Sequence, residues 1–316
     1  MANAKPMQPP PAARTRLSVP RMSPIMSKEL VGRMRSAHTY SALTVYLVIV
    51  SALAVLIYLV SVLNGSRTVG SNGVVGPIVF YFLVGMQVLL VSFAAPAFTA
   101  TAISAERERQ TFDALRATLL TPSQIVWAKL MSALGFTLLL IFATLPLFSL
   151  AFLLGGVEPL EVVIALVVIL CSALLFSLLG LYFSSRSRTS IGATLVTYAV
   201  TLGIVIGIPL ASLIGSSTLR ASAFSAGLKS GDAVIDIFEV LFSLAISLSP
   251  ISAIVTSQRY FAATGSPLTF SPAFVGNGLA LTLPSPYLLL AATYLLASGL
   301  LVILTVRNIA RASKEI

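Results

Sequence analysis

Glu106, Arg107, Glu108, Arg109, Asp113 and Arg116 put six charged side chains into eleven positions, a fifth of all the charge in a 316-residue chain that is 57% hydrophobic. Alternating signs at such short spacing make ion-pairing chemistry: the groups dock onto an opposite pattern or pair with one another. Along a helix, each pair contributes about 0.2–0.5 kcal/mol. On a helix from Ala105 to Leu120, Glu106, Arg109, Asp113 and Arg116 share one face, and Phe112, Leu115 and Leu119 form a separate apolar stripe. That combination predicts a rigid surface helix with a docking face, the other reading being a plain solvated loop. A second acidic set, Asp232, Asp236 and Glu239, falls at i, i+4 and i+7. It predicts either a solvent-facing helix or an extracellular mouth that meets cations or lipid headgroups.

Catalytic chemistry has little to work with. His38 is the one histidine and precedes the first apolar run; Cys171, the one cysteine, lies inside another. A multi-histidine metal centre, a thiolate site and a disulfide are therefore excluded by count. No G-x-x-x-x-G-K-[ST] sequence is present to cradle nucleotide phosphates. No enzymatic activity is expected of this chain, and no metal or cofactor bound by it.

The elements that must carry the charged segment are apolar. A mean hydropathy of +0.98 is that of an integral membrane protein, because a soluble globule of this composition would expose far more apolar surface than water tolerates. Six runs reach the roughly 20 residues a crossing helix needs: Tyr40–Leu63, Pro77–Ile103, Ile125–Leu154, Glu161–Ser184, Ile191–Ile214 and Pro286–Val306. A seventh, Phe238–Val255, is broken by Ser249-Pro250 and is expected to be re-entrant or to lie in the outer leaflet. The expected fold is all-α and polytopic, with six transmembrane helices, a cytoplasmic helix between the second and third, and an outer-leaflet helical element before the sixth. Thr121-Pro122-Ser123-Gln124 reads as a capping box that opens the third span. Pro146 and Pro209 are expected to kink the third and fifth spans. Gly203 and Gly207 form a GxxxG pattern that suits close helix packing between two copies.

Lysine and arginine counts orient the spans. With both termini cytoplasmic, sixteen of the twenty fall on the inner side. Topology thus accounts for the net charge of +10, and no basic stripe is left to suggest nucleic-acid binding. The chain divides into a disordered tail over 1–24, an amphipathic cytoplasmic helix over 25–39 leading into the first span, and a membrane domain over 40–312. Within that domain lie the charged helix, 104–121, and an extracellular or re-entrant segment, 215–285. No cleavable leader is expected.

The run Ile103, Glu106-Arg107-Glu108, Gln110-Thr111, Asp113, Leu115, then Thr121-Pro122-Ser123 and Lys129 resembles the segment between the second and third spans of ABC-2-type transporter permeases. That family's pattern is approximately I-x-x-E-x-E-x-G-T-x-E-x-L, then S-P, then G-K. The chain departs from it at Gln110, Asp113, Thr121 and Ala128. The resemblance implies the permease subunit of an ATP-driven transporter, an exporter, in a prokaryotic cell membrane. It would work as a homodimer or as a heterodimer with a second permease. ATP and Mg would be bound by a separate ABC ATPase subunit, on which residues 104–121 dock as the coupling helix. Of the contacts so implied, Glu106, Glu108, Thr111 and Asp113 match the motif, and Arg107, Arg109 and Arg116 join them as members of the same segment. In that family the first and fifth spans meet across the dimer, which would put Gly203 and Gly207 at the contact. The alternative is a non-enzymatic scaffold or signalling subunit whose 104–121 helix binds another cytoplasmic protein.

Overall fold

Backbone polar groups find no water in a hydrocarbon layer, so chains that cross it as apolar runs satisfy them within helices. The computed structural model, which describes residues 37–63, 72–111, 121–225, 244–245, 247–264, 269–270 and 283–312, is accordingly all-α. In chain order its helices are α1 (Ala37–Leu63), α2 (Asn72–Thr99), α3 (Ser104–Glu108), α4 (Pro122–Leu153), α5 (Pro159–Arg186) and α6 (Ser190–Leu202). A π-helical turn, Gly203–Gly207, leads on into α7 (Ile208–Ser225), followed by α8 (Pro250–Thr264) and α9 (Pro286–Ala312). Two-residue strands, β1 (Thr269–Phe270) and β2 (Leu283–Pro284), pair antiparallel with Phe270 opposite Leu283. Six stretches are long and apolar enough to cross a membrane: Leu43–Leu63, Val75–Glu108, Pro122–Leu153, Pro159–Arg186, Ser190–Gly215 and Pro286–Arg311. They correspond one for one to the six runs read from the sequence.

Local chemistry sets the starts of these helices. Pro122, Pro159, Pro250 and Pro286 each occupy a first helical position, where a missing N–H costs nothing. The capping box expected at Thr121 is present: the Gln124 N–H donates to Thr121 Oγ1 at 3.4 Å, and the Thr121 N–H donates to Gln124 Oε1 at 2.9 Å. The break at Ser249-Pro250 also appears as read. It opens α8, whose 15 residues fall short of the roughly 20 needed to cross.

Helix α5 is the hub. It packs on α2 and α9, and α2 in turn packs on α4. Phe80, Phe176, Leu178, Leu181 and Leu290 are fully buried between them. Where α5 crosses the end of α2 the backbones come so close that a Cβ on Gly180 would collide with Thr99 Oγ1, so only glycine fits there. At the periphery, 6% of α1's apolar window is buried, against 61% for α5. A polar contact ties α1 inward, from the Tyr46 hydroxyl to Gln87 Oε1 at 3.2 Å.

Pro209 disturbs the fifth span as expected, and the form of the disturbance is the π turn just before it. A proline ring has no N–H to offer the carbonyl of Val205 four residues back, and the Ser249 hydroxyl donates to that carbonyl at 3.4 Å. Helix α4, by contrast, runs unbroken through Pro146.

The expected surface helix over 105–120 requires correction. Helix α3 ends at Glu108, and the chain turns through Gln110 at φ 56°. A continuous face through Glu106, Arg109, Asp113 and Arg116 is therefore not formed. Residues 112–120, the tail 1–24, the 25–36 part of the leading helix, and Asp232, Asp236 and Glu239 lie outside the described residues.

Candidate functional site

The stop after Glu108 has a specific geometry. The Gln110 N–H donates to the Arg107 carbonyl at 3.2 Å, and the Thr111 N–H donates to the Glu106 carbonyl at 3.0 Å. These are the paired bonds of a Schellman motif, with Gln110 as the left-handed residue just past the helix. A side chain at that position is strained by about 1–2 kcal/mol relative to glycine. Thr111 closes the turn by donating its hydroxyl to the Glu106 carbonyl at 3.2 Å.

At its other end, α3 has no side-chain cap of its own. Its opening amides are taken up by a different helix: the N–H groups of Ile103 and Ser104 both donate to Ser184 Oγ of α5, at 2.9 and 3.0 Å. Orphan donors at a helix start need such a partner, and a buried serine on the hub helix supplies it. The short helix is thereby pinned to α5.

From that pinned position three consecutive charged side chains reach three different helices. Glu106 Oε1 pairs with Lys129 Nζ of α4 at 2.7 Å, and the same ammonium donates to the Ala102 carbonyl at 2.8 Å. The Lys129 side chain is 4% exposed and that of Glu106 27%, so the pair sits largely out of solvent. The Arg107 guanidinium donates to the carbonyls of Ser185 and Ser187, both at 3.1 Å. Those carbonyls end α5, where unpaired oxygens and the negative end of the helix dipole favour a cation. Glu108 accepts from the Ser190 N–H at 2.8 Å and from the Ser190 hydroxyl at 2.6 Å. Ser190 begins α6, so an anion meets the positive end of that helix. Helix α9 joins the same end of the bundle through Asn308, which donates to Ser185 Oγ at 3.4 Å.

No family model matches this chain, and no curated protein does. The geometry is that of a joint. Glu106, Arg107 and Glu108 are brought together and bonded to the chain's own helices, the first two half-buried and Glu108 exposed; Arg109 and Thr111 are exposed as well. Asp113 and Arg116 lie outside the described residues. Gly203 and Gly207 are exposed within the π turn, and beyond their own stretch of helix no protein atom lies within 4 Å of where a Cβ would stand. Among the described residues, no group of three or more His, Cys, Asp or Glu side chains is placed to hold a metal ion.

Sequence reasoning missed the receiving groups. Lys129 carried a signal: a lone cation two turns into an apolar helix needs an acidic or carbonyl partner. Ser184 and Ser190 carried none, because serine is common in packed membrane helices and nothing in the sequence says which backbone groups it will meet. Glu161, at the start of α5, was also missed. It is buried at the opposite end of that helix, where it accepts from the Tyr81 hydroxyl at 2.9 Å and from the Glu158 N–H at 3.3 Å.

Proposed function

We propose that this chain is the permease subunit of an ATP-driven exporter of the ABC-2 type, set in a cell membrane with both termini in the cytoplasm. Energy comes from a separate ABC ATPase that binds ATP and Mg and docks on the segment between the second and third spans. Two permeases, identical or different, face each other through the sparsely buried first and fifth spans, and substrate moves along a path between them. The observation that carries this reading is the segment 103–111. Its charge is concentrated at one end of an otherwise apolar bundle, and its Glu-x-Glu pair is followed by a helix stop at the position where the resembled pattern has glycine. A segment that serves only solubility needs no fixed attachment to three spans, whereas one that receives force does.

The test is recovery of the full-length chain from membranes of its own cell together with whatever ATPase co-purifies with it, followed by measurement of ATP hydrolysis. The expected result is a stable complex whose hydrolysis drops several-fold when Arg109 and Thr111 are both replaced by alanine. Recovery with a cytoplasmic protein that has no nucleotide site would favour the scaffold reading.

A further inference from the structure

We propose that Glu106, Arg107 and Glu108 form a three-way clasp, through which a displacement at Gln110 and Thr111 reaches the third, fourth and fifth spans at once. Lys129, the carbonyl end of α5 and Ser190 are its receiving groups. The inference rests on the proposed transport reading for its purpose, but its geometry does not depend on it.

Successive residues on a helix are about 100° apart, so three neighbours ordinarily face three directions and serve three unrelated ends. Here the three directions are all occupied by helix termini at the same end of the bundle, and each charge meets a group of the sign it needs. Glu106 meets the buried ammonium of Lys129. Arg107 meets the carbonyls of Ser185 and Ser187, and Glu108 meets the amide and hydroxyl of Ser190. Ser184 fixes the start of the same short helix, and the Schellman turn at Gln110 fixes its end. A five-residue helix held at both ends and on three sides can move only as a unit with what it holds. Exposure begins at Glu108 and continues through Arg109, Gln110 and Thr111, so the stub is half-buried on its Glu106 and Arg107 sides and open at its end. In the sequence, α5 and α6 are separated by residues 187–189 alone. One rigid stub therefore holds both sides of that short connection, Arg107 before it and Glu108 after it. Lys129, Ser184 and Ser190 are positioning residues in this scheme: they set where the stub sits and need never contact a partner.

Hydrogen exchange on the full-length protein in phosphatidylethanolamine–phosphatidylglycerol nanodiscs tests the clasp without any partner. Lys129→Met alone leaves Glu106 withdrawn from water and unpaired, and the protein is expected to be recovered poorly. The double variant Glu106→Gln/Lys129→Met removes both charges and is expected to restore recovery. In that double variant, exchange should rise about tenfold over residues 103–111 and also over 187–192, the region in which the Ser190 amide is held by Glu108. Glu108→Ala should raise exchange over both segments in the same way, and Lys129→Arg should leave both close to wild type. If the double variant loosens 103–111 and leaves 187–192 unchanged, the contacts are independent and the clasp is wrong. Adding the ATPase that co-purifies with the chain, with Mg-ATP and vanadate, gives a separate readout. The wild type should gain protection over both segments, and Glu108→Ala only over 103–111. Cross-responses in the nanodiscs with no ATPase bound would retain the clasp and remove the transport reading; an ATPase bound to a chain with purely local responses would do the reverse.

Discussion

Two carboxylates are withdrawn into this bundle at opposite ends of α5, and they are held in different ways. Glu106 has a cation, Lys129, at 2.7 Å, on a helix that starts 14 residues further along the chain than α3 ends. Glu161 has two neutral donors, the Tyr81 hydroxyl and the Glu158 N–H, the second of them three residues away in its own capping turn. The first arrangement joins α3 to α4 by charge, and removing Lys129 leaves the Glu106 carboxylate without its counter-charge. The second joins α5 to α2 through neutral hydrogen bonding and to its own capping turn, and losing one bond leaves the other in place. The two ends of α5 therefore differ in what one substitution exposes: a carboxylate without its counter-charge at the Glu106 end, and a carboxylate short of one neutral donor at the Glu161 end.

The largest expected effect is at the joint. Lys129→Met should destabilise the folded chain by about 3–5 kcal/mol, because it leaves a largely buried carboxylate without its counter-charge. Thermal unfolding in detergent, followed by tryptophan fluorescence from Trp127 close by, measures it. A loss no larger than that of Tyr81→Phe would erase the distinction between the two ends. Tyr81→Phe removes a hydrogen bond to a carboxylate and should cost about 1.5–3 kcal/mol by the same assay. It should also leave amide exchange over 103–111 unaltered, since Tyr81 lies at the other end of the bundle.

How far these differences could be read in advance depends on whether a local residue type marks them. The six spans were legible because length and apolarity alone decide them. The third span's start was legible because Thr121, Pro122 and Gln124 each act within one turn, and both bonds of the capping box are formed. The stop after Glu108 was not. The charges at 106, 109, 113 and 116 keep helical spacing straight through it, and the left-handed residue is Gln110 rather than the glycine that would have announced it. The partners of the charged triplet were hidden for a different reason: Lys129, Ser185 and Ser190 lie from 21 to 84 residues away from it, and only packing against α5 brings them together. Sequence reading therefore found the charges and their end of the bundle, and missed that three of them bond the chain's own helices.

Two smaller effects sharpen the picture of the joint. Gln110→Gly should stabilise the chain by about 1 kcal/mol, since glycine takes the left-handed conformation without strain. A loss of stability there would show that the Gln110 side chain makes a contact worth more than its strain. Thr121→Ala should cost about 1 kcal/mol through loss of the capping bond to Gln124, and faster amide exchange in the first turn of α4 would report it.

The central claim, that the segment past the clasp is where an ATPase hands force to the spans, is tested most directly by cross-linking. The sole native cysteine, Cys171, is buried, so a cysteine introduced at Thr111 gives one exposed attachment point in the full-length chain. The account predicts that a short thiol-reactive cross-linker joins this position to the co-purified ATPase in membranes, with a yield that changes when Mg-ATP and vanadate are added. An ATPase that co-purifies with the chain but never becomes joined at this position, in any nucleotide state, would contradict it.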